Sequence, residues 1–244
     1  MIYGVLGDIH SNLTALEVAL KLLRAGGAEK LLSVGDVVGY GAAPRACIAM
    51  LRAESVHVVK GNHDAAVVGE LDPRFFNQYA RAAVEWTREQ LAPEEIAWLR
   101  ALPMREHFEH CALAHSSYAH PERFTYVLGP HDADESLDEL ELPVCFVGHT
   151  HVPITLLRLE EDPLHTAFSN DTTVDLSVSL RALVNVGSVG QPRDDDPRTA
   201  CALYDSETRL LRILRAPYDI DREHKRILAA GLPAVLAERL RLGV

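Results

Sequence analysis

Leu31-Leu32-Ser33-Val34-Gly35-Asp36, continuing as Val37-Val38-Gly39-Tyr40-Gly41, is the stretch on which the reading of this chain turns. A short apolar run ends in Gly-Asp and further glycines follow. That pattern predicts a buried strand delivering a carboxylate at its end, in a loop too tight for larger residues. Alone, Gly-Asp after a strand is an ordinary turn. The same construction recurs, however, at Val5-Leu6-Gly7-Asp8-Ile9-His10 and at Val58-Val59-Lys60-Gly61-Asn62-His63-Asp64. Cys111-Ala112-Leu113-Ala114-His115 and Val144-Cys145-Phe146-Val147-Gly148-His149-Thr150-His151 complete the set. Every run ends in Asp, Asn or His, side chains that bind hard-to-borderline metal ions. Asp36 is the centre of the set, because a carboxylate has two oxygens with which to bridge two cations.

The composition sets the class. The chain has 244 residues, 48% hydrophobic and 24% charged, enough for one sizeable core and one domain over 1–244. Its formal net charge of -11 repels polyanions, so stable nucleic-acid binding is not expected, while divalent cations suit the carboxylate excess. Cys47, Cys111, Cys145 and Cys201 form no CxxC pair and read as small buried hydrophobes in a reducing compartment. The first strand already carries Asp8, which leaves no room for a signal peptide, and no apolar run is long enough to span a bilayer. A soluble, cytoplasmic protein with no membrane partner is expected.

Taken in order, Ser11 or Asn12 caps a helix to Arg24, with Leu13, Leu16, Leu20 and Leu23 on one face. Strand, helix and strand up to Asp36 predict a right-handed parallel crossover. Pro44 opens a second helix to about Ala53. Residues 73–102 turn helical, and Phe76, Tyr79, Ala83 and Trp86 share a face that reads as core. A loop over 116–130, following His115, is placed to shape the rim of a site; it carries Tyr118, His120, Arg123 and Tyr126. An acidic helix is expected over 132–140. Short strands are expected at 154–159, 173–178, 182–186, 200–204 and 210–214, making an antiparallel second half of the core. Two helices, broken at Gly231-Leu232-Pro233, end the chain.

In open α/β sheets the loops at the carboxyl ends of strands meet at one edge. If the five runs are neighbouring strands, that edge gathers Asp8, His10, Asp36, Asn62, His115, His149 and His151. Seven such ligands exceed the needs of one tetrahedral ion. They suit two divalent ions about 3.5–4 Å apart, the arrangement used for phosphoester displacement. The spacings Asp8-x-His10 and His149-x-His151 also fit, since residues two apart in extended backbone point the same way.

With these motifs in order, the chain resembles the calcineurin-like metallophosphoesterases. The matching pieces are Gly-Asp-x-His at 7–10, Gly-Asp at 35–36, Gly-Asn-His-Asp at 61–64, the histidine at 115 and Gly-His-Thr-His at 148–151. Asn-Val-Gly-Ser-Val-Gly-Gln-Pro-Arg at 185–193 and Ala-Gly-Leu-Pro at 230–233 extend the likeness toward the small bacterial single-domain phosphodiesterase branch. The resemblance implies an α/β fold, a four-layer α-β-β-α sandwich of two mixed sheets flanked by helices. It implies Asp8, His10 and His151 on one metal, Asn62, His115 and His149 on the other, and Asp36 as the bridge. The ions implied are manganese, or iron, zinc, cobalt or nickel. His63 would stand near the leaving group. Asp64 either orients His63 or serves the loop, and Asn12 either backs the metal ligands or merely caps its helix. His120, in the rim loop, is a further substrate-binding candidate. Arg193 binds substrate phosphate if its loop returns to the metal edge; otherwise it sits at the surface beside Asp194-Asp195-Asp196.

The implied function is a dinuclear metal-dependent phosphoesterase that hydrolyses a small soluble phosphodiester or phosphomonoester. The attacking group would be a hydroxide bridging the metals, with His63 assisting the leaving group. Two departures narrow the choice. The phosphoprotein phosphatases and symmetrical dinucleoside-tetraphosphate hydrolases carry an arginine where this chain has Tyr40, and tyrosine cannot clamp phosphate bidentately. Many relatives also follow the histidine at 115 with glycine, where Ser116-Ser117 stands here. An asymmetric dinucleoside-polyphosphate hydrolase or a phosphoprotein phosphatase is the alternative enzyme. A catalytically silent metal-binding scaffold is the alternative from another class.

Overall fold

A computed structural model describes Met1–Val244. Its strands form two six-stranded sheets. The first runs β3 (His57–Val58), β2 (Lys30–Ser33), β1 (Ile2–Leu6), β11 (Thr199–Asp205), β12 (Leu210–Ala216), β9 (Thr173–Asp175). The second runs β4 (Arg105–His107), β5 (Ala112–Ala114), β6 (Val144–Val147), β10 (Ser179–Asn185), β7 (Ile154–Leu159), β8 (Ala167–Ser169). Both are mixed. β1, β2 and β3 are parallel, as are β5, β6 and β10, while the remaining pairs are antiparallel.

Period-two alternation explains why the sheets stack. Tyr3 and Val5 of β1, Ala202 and Tyr204 of β11, Val144 and Phe146 of β6, and Val184 of β10 form one buried cluster between the sheets. The intervening residues point outward, as alternation along a strand requires. Leu6, Cys201 and Leu203 meet α1 (Leu13–Ala25) and α2 (Pro44–Ala53) on one side. Cys145, Val147 and Leu183 meet α6 (Pro130–Glu139) on the other. The result is the α-β-β-α sandwich, with three apolar interfaces between four layers. No helix is long and apolar enough to cross a membrane.

Three expectations are revised. The five runs are not neighbours in one sheet: three carry β1, β2 and β3, and two carry β5 and β6 of the facing sheet. Their ends converge because the two sheets stack with those edges aligned. The later strands likewise do not form a separate half. β7, β8 and β10 extend one sheet and β9, β11 and β12 the other, so each sheet is completed by the second half of the chain. The strand expected over 173–178 stops at Asp175, whose carboxylate accepts the Ser177 N–H at 2.8 Å and starts a 3-10 turn over Leu176–Val178.

One short element positions the site. α3 (Asn62–Val67) has only six residues, too few to persist on its own propensity. It is pinned at both ends. Asp64 accepts the Gly61 N–H (3.0 Å) and the Val38 N–H (3.2 Å). At the other end Arg88, from α4 (Gln78–Gln90), donates to the carbonyls of Val67 (2.9 Å) and Ala66 (2.6 Å). Arg100, from α5 (Pro93–Ala101), donates to that of Val68 (3.0 Å). These cations satisfy carbonyls that a helix end leaves open and complement its dipole. Arg88→Met should therefore cost about 1–2 kcal/mol, the figure for charge-assisted hydrogen bonds discounted for exposure. A lowered urea midpoint at unchanged m-value is the expected result.

Candidate metal centre

The ends of β1, β2, β3, β5 and β6 bring all seven predicted ligands into one buried cluster. Asp8, His10, Asp36, His115 and His151 are each no more than 2% exposed. Holding them there bends the backbone. Asp8 (φ 49°), His10 (49°), Asp36 (50°), His149 (69°) and His151 (65°) all adopt left-handed conformations. Non-glycine residues pay strain there, of order 1–3 kcal/mol each, and such outliers gather at functional sites. Two glycines permit the close packing: a Cβ on Gly61 would lie 2.1 Å from Asp36 Oδ1, and one on Gly148 would lie 2.3 Å from Asp8 Oδ2.

The histidine tautomers follow from their partners. Nδ1 of His10, His115 and His151 lies 3.1, 2.8 and 2.5 Å from the carbonyls of Val38, Val34 and Gln191. A carbonyl only accepts, so each Nδ1 carries a proton, and the neutral rings of His10 and His151 turn a bare Nε2 inward. Nε2 of His10 and Nε2 of His151 then stand 3.1 Å apart, with Asp8 Oδ1 3.4 Å from the latter. Two facing lone pairs at that distance repel unless a cation lies between them. The spacing is what two nitrogens about 2.0–2.1 Å from one divalent ion require. A second group repeats the arrangement: His115 Nε2 lies 3.0 Å from Asn62 Oδ1 and 3.2 Å from His149 Nδ1. Asp36 Oδ2 sits between the groups, 3.6 Å from His10 Nε2 and 3.5 Å from His115 Nε2. The donor set fits divalent metal ions.

The charges point the same way. Burial pushes Asp8 up to about 7, and the negative charge of Asp36 adds to the rise, although His115 opposes it. Burial would lower His115, but the Asp36 carboxylate outweighs it and raises that imidazole to about 9. Burial also acts against ionised Asp36, yet His115 and His63 hold it well below the usual carboxylate range. In the protein alone, a proton on His115 thus balances a carboxylate that a metal would otherwise neutralise.

Beneath the cluster, segment 185–193 ties the loops together. Asn185 Nδ2 donates to Gly148 O (2.6 Å) and Thr150 Oγ1 (2.9 Å), and Ser188 Oγ donates to Asp8 O (2.8 Å). Asn12 belongs to this brace. Its Oδ1 caps α1 at the Ala15 N–H (3.0 Å), while its Nδ2 donates to Gly190 O and Tyr218 Oη, so it is the cap and not a substrate contact. Asp64 is corrected as a catalytic residue: its two oxygens take the Gly61 and Val38 amides and neither reaches His63. His120 turns away to Glu135, 3.1 Å distant, and does not line the site cavity.

That cavity, about 380 Å³, opens beside the cluster. Arg193 reaches its wall, with its guanidinium 5.7 Å over the Tyr40 ring and Nη2 donating to Tyr40 Oη (3.3 Å) and Gln191 Oε1 (2.9 Å). Its loop does return to the metal edge. His63 also lines the cavity, its ring 4.4 Å from that of Tyr40 and 4.8 Å from that of Phe76, with Nδ1 buried and unpartnered. Its backbone N–H donates to Asp36 Oδ1 (2.8 Å). Donor atoms of His10, Asp36 and His63 lie within 4.8 Å of one another, so His63 stands nearer the ligands than the sequence suggested. Tyr126, from the expected rim loop, lines the same cavity together with Phe76, and Phe75 and Phe124, which were missed, stand beside them. Phe76 had read as core and does pack against two apolar clusters while also facing the cavity; for Phe75 the signal available was two adjacent phenylalanines in a polar loop.

Comparison with known proteins agrees with this geometry. Residues 1–209 match the model of the calcineurin-like phosphoesterase superfamily domain. A protein of Methanocaldococcus jannaschii is 34% identical over 244 residues, which span 98% of this chain and 97% of that protein. A metallophosphoesterase structure from Sphaerobacter thermophilus matches with a TM-score of 0.86 and 36% identity, covering 100% of both chains. A hypothetical protein from Pyrococcus horikoshii OT3 shares the fold at 21% identity, with a TM-score of 0.81 over 100% of this chain and 98% of its own.

The buried imidazoles set a pH dependence for protein stripped of divalent ions. Burial lowers His10 and His151, and takes His63 to about 4 and His149 to about 3. The unfolded chain protonates these groups near pH 6.5. Their contribution is therefore present above about pH 6.5 and is lost as the pH falls toward 4. Asp8 and Asp64, both raised to about 7 by burial, oppose this loss, but two carboxylates do not cancel four imidazoles. His115, at about 9, contributes below pH 6.5 and loses its contribution as pH rises through 9. Urea midpoints in chelator should peak near neutrality and fall more steeply from pH 6 to 4 than from 7 to 9.

Proposed function

The chain belongs to the calcineurin-like phosphoesterase superfamily and is a hydrolase of phosphoester bonds; on that premise we propose a dinuclear metal centre acting on a small soluble phosphodiester or phosphomonoester. The observation that carries the proposal is the pair of donor groups sharing Asp36 at the mouth of one cavity. Asp8, His10 and His151 would hold one ion and Asn62, His115 and His149 the other, with Asp36 shared between them. When bound, the ions supply Lewis acidity toward phosphoryl oxygens and lower the pKa of water. Mixed O/N ligands suit manganese and also accept iron, zinc, cobalt or nickel. Four buried free cysteines and the net charge of -11 support a reducing, cytoplasmic setting and a small substrate in preference to a polyanion.

The protein's own groups divide the remaining work. Arg193 offers its guanidinium to the substrate phosphate, and Tyr40 and Gln191 hold it in place. This answers the lack of an arginine at position 40, since the cation arrives from another loop. His63, packed between the Tyr40 and Phe76 rings with Nδ1 enclosed, would assist the departing alkoxide through an Nε2–H hydrogen bond from the cavity side.

Two measurements test this reading. Elemental analysis of reconstituted protein should give two ions per chain. Asp36→Asn should weaken both sites and His149→Ala mainly one, whereas saturation of the wild type at a single ion would refute the dinuclear centre. His63→Ala should keep its metal and lose about 10²–10⁴-fold in turnover of an alkyl phosphoester. A nitrophenyl ester needs little leaving-group protonation, so its loss should be far smaller. Equal losses on both esters would mean that His63 has another role.

A further inference from the structure

The cavity beside the metal ligands is built in two chemically distinct parts. One part is polar and carries the ligands and Arg193. The other is a wall of Phe75, Phe76, Phe124 and Tyr126, with Leu71 and Ala80 beside it. The chain has only six phenylalanines, and three of them stand here. They come from two separate segments, 71–77 and 123–126. Tyr126 lies 4.2 Å from the His149 ring at 30°, close to a stacked arrangement, and Phe76 lies 4.8 Å from the His63 ring.

A core role accounts for Phe76, which also packs against two apolar clusters, but not for the other three rings of the wall. Phe75 is 84% exposed and Tyr126 54% exposed, and neither they nor Phe124 join any of the apolar clusters. Large aromatic groups facing water together at a cavity mouth mark a surface built to be covered. Phe124 also adopts a left-handed conformation (φ 49°), costly for a bulky residue, so the backbone is held against its preference where that ring is presented. A saturated polar alcohol gains little from such a wall. A planar aromatic group gains both apolar burial and offset stacking. The volume of about 380 Å³ lies within the small-molecule range and suits one such group with its phosphate.

Resting on the hydrolytic reading above, we propose that the substrate is the phosphoester of a planar aromatic moiety, an aryl ring or a nucleobase carried on its sugar. Its ring lies on the Phe75/Phe76 and Phe124/Tyr126 wall while its phosphate meets the metal ligands and Arg193. The wall selects against alkyl and polyol phosphates of similar charge.

Titration calorimetry of the metal-reconstituted protein with benzylphosphonate and with ethylphosphonate tests this without turnover. Benzylphosphonate should bind about tenfold tighter or more. The ratio should fall toward one in the Phe75→Ala/Tyr126→Ala double variant, whose exposed positions leave folding intact. A second pair, adenosine 5′-monophosphate against ribose 5-phosphate, distinguishes the source of the ring: tighter binding of the nucleotide assigns a nucleobase, and equal binding within that pair assigns a simpler aryl group. Equal or absent binding of the two phosphonates would overturn the proposal, as would a preference that survives the double variant. Hydrolysis of benzyl and ethyl phosphates separates the two readings. An aromatic preference without hydrolysis rejects the phosphoesterase reading alone, and hydrolysis without an aromatic preference rejects the aromatic wall alone.

Discussion

Two buried carboxylates, Asp8 and Asp36, share one region from which water is excluded, and their mutual repulsion is the constraint that the surrounding structure answers. Burying one ionised carboxylate without partners is costly, and burying two together more so. Three devices meet the demand. Backbone amides reach them, His149 N–H to both oxygens of Asp8 and His63 N–H to Asp36. Glycines at 61 and 148 let the main chain approach within a distance that any Cβ would block. Imidazoles surround both, those of His10, His115 and His151 each fixed by a carbonyl behind it. Such an assembly favours a bound cation, because without one a proton on His115 has to offset the carboxylate charge.

The loops that carry these groups are held from outside the cluster. Arg88 and Arg100 grip α3 from behind, and segment 185–193 laces the Asp8 loop to the Gly148 turn. Left-handed backbone at five ligand positions persists because these ties over-determine it. The donors are thus oriented before any ion arrives, which lowers the ordering cost of binding.

Much of this was legible in the chain itself. Asp36, Asp8 and the Gly-His-Thr-His run announced themselves because a strand-end ligand needs a glycine before it, and that pairing leaves a local trace. What escaped was set by distance through space. Whether Arg193 faced solvent or the cavity depends on a loop packing over Tyr40, and nothing at positions 191–196 records that. Asp64 offered two readings because a helix-start acid and a histidine-orienting acid look alike until the Val38 amide is seen within reach. Phe76 precedes α4 yet packs with Ala83 and Trp86 as the stripe implied; that it also faces the cavity leaves no trace in the periodicity. The division of five similar runs between two sheets was equally hidden, since strand pairing is decided by partners far along the chain.

The pairing of β1 with β11 has a consequence for how the protein is made. Ile2 lies opposite Asp205, so β1 waits for a strand far along the chain before its sheet is continuous. Asp8, at the end of that strand, is in turn braced by Ser188 and Gly190. An incomplete nascent chain therefore holds the ligands of the site in sequence but not in space. High sequence separation of this kind slows folding and leaves acid- and histidine-rich loops unstructured during synthesis. The geometry that could hold a metal ion at Asp8 therefore depends on residues 180 or more positions further along the chain.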